Sequence, residues 1–458
     1  MGFQYTQAQG FRLGSWEGRT YSSDAPAPRS MLRLFLAFAV YTAAPVAAVP
    51  FIGLSWSAPL FYVVALEMLG LLRGWGIQRE GRWLALASLL WAGMLFSFAV
   101  STLTSDTVVP DLASVARLYQ FAYWMLVFVL SVHLIRRGNV GPRLPAYLAT
   151  AVVALAAIVL LERVVLGTMR PNGYFSLTRM TQNAYGWQFS TFSPFLLPLA
   201  LAGRRRTHRL ALMGLLIVWA AAAVNLSRSS WIAIAAGLVA FLLLHAAATR
   251  SVGGLLKAGL AAAVAVSLAC AAPAEVKQPV LDRYQELQAY QSDKSYLIRV
   301  LMIQKAWRLF VEHPVFGVGP AQFRRVSTPL DLPPELRYAP QSHFDAFSAH
   351  NSYMLLLAEG GLACTLPFVA ILLTLLFRGA AAAVTLFRRG EPWALAAYAS
   401  LVGMSIHLWS LAGLTNTAPW LVYAMVAAAI GRARDLSMVP GTAPRAVGRG
   451  ASWEVRSR

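Results

Sequence analysis

The side chains best suited to chemistry in this 458-residue sequence are one histidine and three arginines, each near the edge of an apolar stretch. His350 opens the run His350-Asn351-Ser352-Tyr353 that leads into a long hydrophobic segment. Imidazole titrates close to neutrality, so His350 suits the role of base or hydrogen-bond acceptor for a substrate hydroxyl. The same position also suits an interfacial or capping residue. A helix starting there would favour neutral imidazole and an anionic group nearby. His343 and His313 compete for the role, with Pro314 pointing His313 toward a turn. Arg170, Arg228 and Arg299 are candidates for gripping a phosphate or diphosphate, because the guanidinium fork meets such oxygens in pairs and stays charged. Each could instead snorkel or pair locally, as Glu162 with Arg163 would. Glu67 and Glu359 fall inside apolar stretches, where an ionisable group is costly and is a functional candidate by default. Glu359 follows His350 by about two and a half helical turns, placed to orient the site or to pair with a basic group.

The elements that must position these residues are hydrophobic. The chain is 58% hydrophobic and only 13% charged, against about 25% charged in a soluble domain. Repeated apolar runs of about 18 to 22 residues indicate an all-α polytopic membrane protein rather than a barrel of short alternating segments. Twelve spans are expected at 32–50, 57–73, 82–103, 114–135, 144–167, 182–202, 209–226, 229–247, 254–272, 353–377, 393–412 and 418–434. Alternate connections are arginine-rich, as in Arg136/Arg137/Arg143 and Arg204/Arg205/Arg206, whereas 51–56 and 413–417 carry no charge. The positive-inside rule then places both termini in the cytoplasm. Arg170, Arg228 and Arg299 fall on the side where arginine is otherwise scarce, which favours an anionic ligand. The polar residues 1–30 lack the apolar core of a cleavable signal peptide, so the first span is expected to act as an uncleaved anchor.

The expected organisation is a cytoplasmic tail (1–31), nine spans (32–272), an extracytoplasmic loop (273–352), three spans (353–434) and a basic cytoplasmic tail (435–458). The interval 272–352 holds nine Lys/Arg against eight Asp/Glu, as a small cap lying on the membrane would. Within it, Ser295 to Glu312 puts Arg299, Met302, Ile303, Ala306, Leu309 and Phe310 near one face at helical spacing. That spacing predicts an amphipathic helix lying on the bundle, with Lys305 and Arg308 pointing elsewhere; an ordinary solvated helix is the alternative. A second helical run is expected over 281–291.

The net charge of +20 lies in short runs between apolar segments, so it reports topology and not nucleic-acid binding. Cys270 and Cys364 both lie in apolar segments and offer neither a disulfide framework nor a metal spacing. The outward loops carry no paired-carboxylate cluster beyond Asp106 and Asp111, so no metal site and no cofactor is expected.

Several pieces recur in order along the chain. They are Arg170-Pro-Asn-Gly173-Tyr-Phe, then Gln182-Asn183-Ala184, then Ser227-Arg228-Ser229, then Arg299 ahead of Trp307. Pro314-Val-Phe-Gly317-Val-Gly319-Pro320-Ala-Gln-Phe323 and His350-Asn351-Ser352-Tyr353 running to Glu359-Gly360-Gly361 complete the set. Together they resemble the O-antigen ligase family, bacterial membrane enzymes grouped with O-antigen polymerases and O-linking protein oligosaccharyltransferases. Thr181-Gln182-Asn183 stands where that family often has Asn-Pro-Asn.

The resemblance implies twelve spans of GT-C-like glycosyltransferase architecture with one large periplasmic helical loop. It implies a donor of undecaprenyl diphosphate bearing O-antigen, lipid A-core as acceptor, and inverting, metal-independent transfer at the periplasmic face of a Gram-negative inner membrane. Carried onto matching positions, Arg228 and Arg299 bind the diphosphate with Arg170 assisting. His350 activates the acceptor hydroxyl or stabilises the leaving diphosphate, and Asn351, Glu359 and Asn183 support it. A polymerase or a protein transferase would share the architecture. A transporter or flippase of lipid-linked glycans is the alternative from another class; internal repeats and spans broken at mid-membrane would mark it.

Overall fold

The computed structural model describes residues 29–45, 81–104, 112–137, 140–166, 182–201, 205–251, 253, 278, 294–338, 340–414 and 416–438. The described residues are helical and contain no strand. The expected spans 57–73 and 254–272, the expected helical run at 281–291, and Arg170, Glu67 and Cys270 lie outside them.

In chain order the helices are α1 (Arg29–Ala43), α2 (Gly81–Thr104), α3 (Leu112–Arg137), α4 (Leu144–Leu166) and α5 (Gln182–Phe192). They continue with α6 (Leu196–Ala200), α7 (Arg205–Val224), α8 (Arg228–Thr249), α9 (Lys294–Glu312) and α10 (Gln341–Asp345). The last are α11 (Ser352–Arg388), α12 (Trp393–His407) and α13 (Thr417–Ser437). Six of these (α2, α3, α4, α7, α8 and α11) are long and apolar enough to cross a membrane. Hydrocarbon offers no partner to a backbone N–H or C=O, so an apolar run this long satisfies them internally as a helix.

Two expected spans are broken helices. The 182–202 stretch is helical but segmented, with a 3₁₀ turn at Ser193–Phe195 between α5 and α6. Pro194 and Pro198 lack the N–H that an unbroken α-helix would use there. The span expected at 353–377 runs on to Arg388 as a 37-residue helix. Its length of about 55 Å exceeds the ~30 Å hydrocarbon core, and a kink at Gly361 breaks it in two.

Close packing rests on small residues. The Cβ that Gly93 lacks would stand 2.5 Å from the Ala363 carbonyl oxygen, so α2 and α11 touch backbone to backbone. Across α8 and α12, Gly403 meets the Ala233 carbonyl and Gly237 meets the Ala399 carbonyl in the same way. Such contacts replace hydrophobic exclusion as the force between helices in lipid. Trp393, Trp420 and Tyr423 fill the interior around α12 and α13.

Many of the basic connections meet at one end of the bundle. Arg136 pairs with Asp435, Arg432 with Glu391, and Arg388 donates to the carbonyls of Ala247 and Ala248 that end α8. A helix leaves its last carbonyls unsatisfied, and an arginine there answers both that need and the helix dipole.

A second apolar core forms away from the main one. It joins Leu301, Met302, Ala306 and Leu309 of α9 to Val318, Phe323, Leu336, Phe344, Ala349 and Ala358. Here one expectation is corrected: Lys305 does not point elsewhere but is fully buried on this face. Its spacing explains this, since it stands three residues from Met302 and four from Leu309. Its Nζ donates to Asp345 Oδ1 at 2.8 Å and lies 5.2 Å from the centre of the Phe323 ring. Ser327 Oγ donates to the other Asp345 oxygen. Arg308 does turn outward, to Asp331.

Removing one partner of a buried ion pair strands the other, at about 3–5 kcal/mol. Lys305→Met is therefore expected to lower the thermal midpoint of the detergent-purified protein sharply, and adding Asp345→Leu to recover most of it. A Lys305→Met protein as stable as the parent would mean that the pair contributes nothing to this core.

Candidate functional site

The site is assembled around the broken helix. Gly361 has φ 56° and ψ −157°, a region open essentially to glycine alone. The break frees backbone groups that the segment 314–323 then satisfies. Leu362 and Ala363 donate to the carbonyls of Pro314 and Val315, both at 2.9 Å. Val318 and Gly319 donate in return to the carbonyls of Ala358 and Glu359, at 2.9 and 3.1 Å. Ser97 of α2 adds a 2.7 Å bond to the Glu359 carbonyl. The approach leaves no room for side chains, because a Cβ on Gly317 would stand 2.5 Å from the Ala358 oxygen. The Gly317-Val-Gly319-Pro320 and Glu359-Gly360-Gly361 motifs thus serve each other.

The Glu359 carboxylate is buried, and the backbone N–H groups of Ala321 and Phe323 donate to it. It lies within electrostatic reach of Arg117 on α3 and of Arg324. A small cleft runs past it, lined by Met94, Arg117, Phe121, Ser352 and Leu356 among others. Glu359 therefore holds the turn that carries Arg324.

His350 sits one residue ahead of α11 with φ 47°. A non-glycine residue in that left-handed region costs of order 1 kcal/mol or more, and its surroundings enforce it. Asn351 caps the helix: its Oδ1 accepts from the N–H groups of Tyr353 and Met354, each at 3.0 Å. Ser352 donates its N–H to Leu408 and its hydroxyl to the Leu411 carbonyl, and accepts from Gly413 N–H at 2.8 Å. Burial, then the charges of Arg299 and Arg324, hold the His350 pKa below the ordinary 6.5. A neutral ring with a free lone pair is the form that can accept a proton.

Arg228 is the first residue of α8, just after a tight turn in which Leu226 has φ 53°. Asn183 and Gln182 dock on this turn. Ser227 Oγ donates to Asn183 Oδ1 at 3.3 Å, and Asn225 Nδ2 donates to the Gln182 carbonyl at 2.7 Å. Gly186 permits the approach, since a Cβ there would fall 1.9 Å from Ser230 Oγ. Asn183 thus supports the Arg228 turn without the Asn-Pro-Asn pattern. Arg299, on α9, lies within electrostatic reach of both His350 and His407. His407 in turn hydrogen-bonds Ser229, the neighbour of Arg228. These contacts place Arg228, Arg299 and His350 around one region, while Arg170 falls outside the described residues.

Three groups of this region were not singled out from sequence: Arg324, Arg117 and His407. His407 carried a usable signal, being ionisable inside an expected span. Arg324 gave none, because its place follows from the turn that Glu359 holds.

Gly361→Ala is expected to destabilise the protein by about 1–3 kcal/mol from the backbone alone and to abolish activity by releasing the 314–323 segment. Gly81, whose Cβ would meet open space, is the control position; equal thermal midpoints for Gly361→Ala and Gly81→Ala would refute this. If neutral His350 is the active form, activity falls on an acid limb centred below pH 6.5, because protonation is disfavoured in the fold. Arg324→Gln removes one of the opposing charges and is expected to shift that limb upward without passing 6.5, as a pH–rate profile would record.

Residues 211–369, which span α7, α8, α9 and the first part of α11, match the family model described as O-antigen ligase. No curated protein matches the chain.

Proposed function

We propose that this chain is a member of the O-antigen ligase superfamily, whose model matches residues 211–369, and that it transfers O-antigen from undecaprenyl diphosphate onto the outer sugars of lipid A-core. On this reading it works at the periplasmic face of a Gram-negative inner membrane, with both termini cytoplasmic. Twelve spans of GT-C-like architecture carry a periplasmic lid at residues 273–352. The observation that carries the reading is the pairing of a neutral-favoured His350 with Arg299, inside the segment matched by the family model.

The chemistry is a single displacement. The acceptor hydroxyl attacks the anomeric carbon while its proton passes to the His350 imidazole. The bond from that carbon to the diphosphate oxygen breaks on the opposite face, so the configuration inverts. Negative charge grows on the departing oxygen, where the guanidinium groups of Arg228, Arg299 and Arg170 stabilise it. Diphosphate is already a good leaving group, so positioning and charge carry most of the catalysis. Guanidinium forks supply the countercharge, and no metal or cofactor is required. Asn351 and Glu359 act by fixing His350 and the 314–323 turn, and Asn183 by fixing the start of α8.

The test is complementation of a ligase-null strain with His350→Ala, Arg228→Ala or Arg299→Ala, read on lipopolysaccharide gels. Core without polymer, together with accumulated lipid-linked O-antigen, is the expected result for each. Core bearing a single repeat would identify a polymerase instead, and glycoprotein loss with normal lipopolysaccharide a protein transferase. Full ladders from all three variants would overturn the site, and would suit a transporter of lipid-linked glycans.

A further inference from the structure

His407 is a buried histidine that the proposed chemistry does not use. It ends α12 with a side chain only 1% exposed, and both ring nitrogens have hydroxyl partners. Nδ1 lies 3.0 Å from Ser190 Oγ on α5, and Nε2 lies 3.3 Å from Ser229 Oγ on α8. The hydrogen positions are assigned from the bonds that the Ser190 hydroxyl makes. Ser190 donates its one hydroxyl hydrogen to the Trp187 carbonyl at 3.0 Å. It must then accept from His407, which puts the ring hydrogen on Nδ1. Nε2 of the neutral ring is left as an acceptor for the Ser229 hydroxyl. The Trp187 ring, 5.5 Å from the imidazole between centres, closes the remaining side, and Gly413 makes room for it.

Helix register explains why the histidine stands there. α8 and α12 pack antiparallel, Gly237 against Ala399 and Gly403 against Ala233. Each pair is one turn from the next, and one further turn brings Ser229 opposite His407. Backbone contact at the two glycines leaves no freedom to slide, so the imidazole arrives at the first turn of α8. Arg228 is the adjoining residue of that turn.

We infer that His407 is a positioning residue: by bonding Ser190 and Ser229 together it fixes the α8 turn that presents Arg228 to the phosphate groups of the donor. This inference rests on the donor-site reading above. The bonds from Ser229 to His407 and from His407 to Ser190 tie α8 and α12 to α5, and the Ser227 bond to Asn183 ties the same turn to α5 a second time. A shift at Ser229 therefore moves Arg228, whereas His350 is held through Asn351 and through Ser352, which bonds the backbone of Leu408, Leu411 and Gly413 and not the His407 ring.

The experiment uses the full chain in detergent or nanodiscs with an undecaprenyl-diphosphate-linked glycan as donor. His407→Phe keeps the ring volume and loses both bonds. It is expected to raise the donor KM roughly 3- to 10-fold, the scale of one hydrogen bond, with a smaller change in kcat. His407→Gln, whose amide oxygen can reach Ser229, is expected to recover more of the parent KM than His407→Asn. In an Arg228→Ala background His407→Phe is expected to add little, since the two act through one contact. A parent-like donor KM for His407→Phe, or full additivity with Arg228→Ala, would overturn the positioning role and leave the donor site standing. A parent-like KM for Arg228→Ala itself would overturn the donor site and the positioning role together. A thermal midpoint that falls alongside an unchanged KM would show His407 to be packing only.

Discussion

The constraint on which the rest of this structure depends is the backbone of α11. A helix broken at Gly361 leaves N–H and C=O groups unpaired, and a buried break in an apolar bundle has little water to take them. The 314–323 segment supplies the partners, bond for bond, from Pro314 to Gly319. The break is thus the means by which a polar loop is fastened to an apolar bundle. Glu359 completes the fastening by drawing in the N–H groups of Ala321 and Phe323. Arg324 and Arg299, whose charges act on His350, take their places from the turn that follows that docked segment and from α9, which packs on it through the second core.

Charge is divided between the two ends of the molecule by different rules. At one end arginines are consumed in pairs with Asp435 and Glu391 or in capping α8, which holds helix termini together. At the other, Arg299 and Arg324 face a histidine and press it toward its neutral form. A base that must lose its charge to act gains from such neighbours, and the same cations are available to an anionic leaving group. Lys305, buried against the second core, is neutralised by Asp345 and holds α9 in place.

The arrangement also hangs Arg228 and His350 on different supports. Arg228 hangs on a turn braced by α5 and α12, through Asn183, Ser227, Ser229 and His407. His350 hangs on the cap of α11, braced by Asn351 and by the 408–413 stretch through Ser352. Arg299 is within electrostatic reach of His350 and of His407, the histidine that bonds Ser229 beside Arg228.

Much of this was legible in the order of residues. Apolar runs of membrane length gave the helical class. The α9 helix appears within one residue of its expected start, because a period of 3.6 shows in Met302, Ala306 and Leu309. The motifs around Arg228, Arg299 and His350 identified the residues to look for. What the residue order could not settle was long-range pairing. Lys305 looked like a solvent residue because Asp345, forty positions later, is invisible to local periodicity. Glu359 could be read only as orienting the site or pairing with a basic group, because the backbone N–H groups that hold it belong to another segment. His407 carried its meaning only through the register of α8 on α12, set where glycines let two backbones touch. Hydrophobic length and helical period are local properties of a chain, so sequence determined the elements. Buried polar groups are satisfied by whatever the fold brings to them, so tertiary structure alone decided the site.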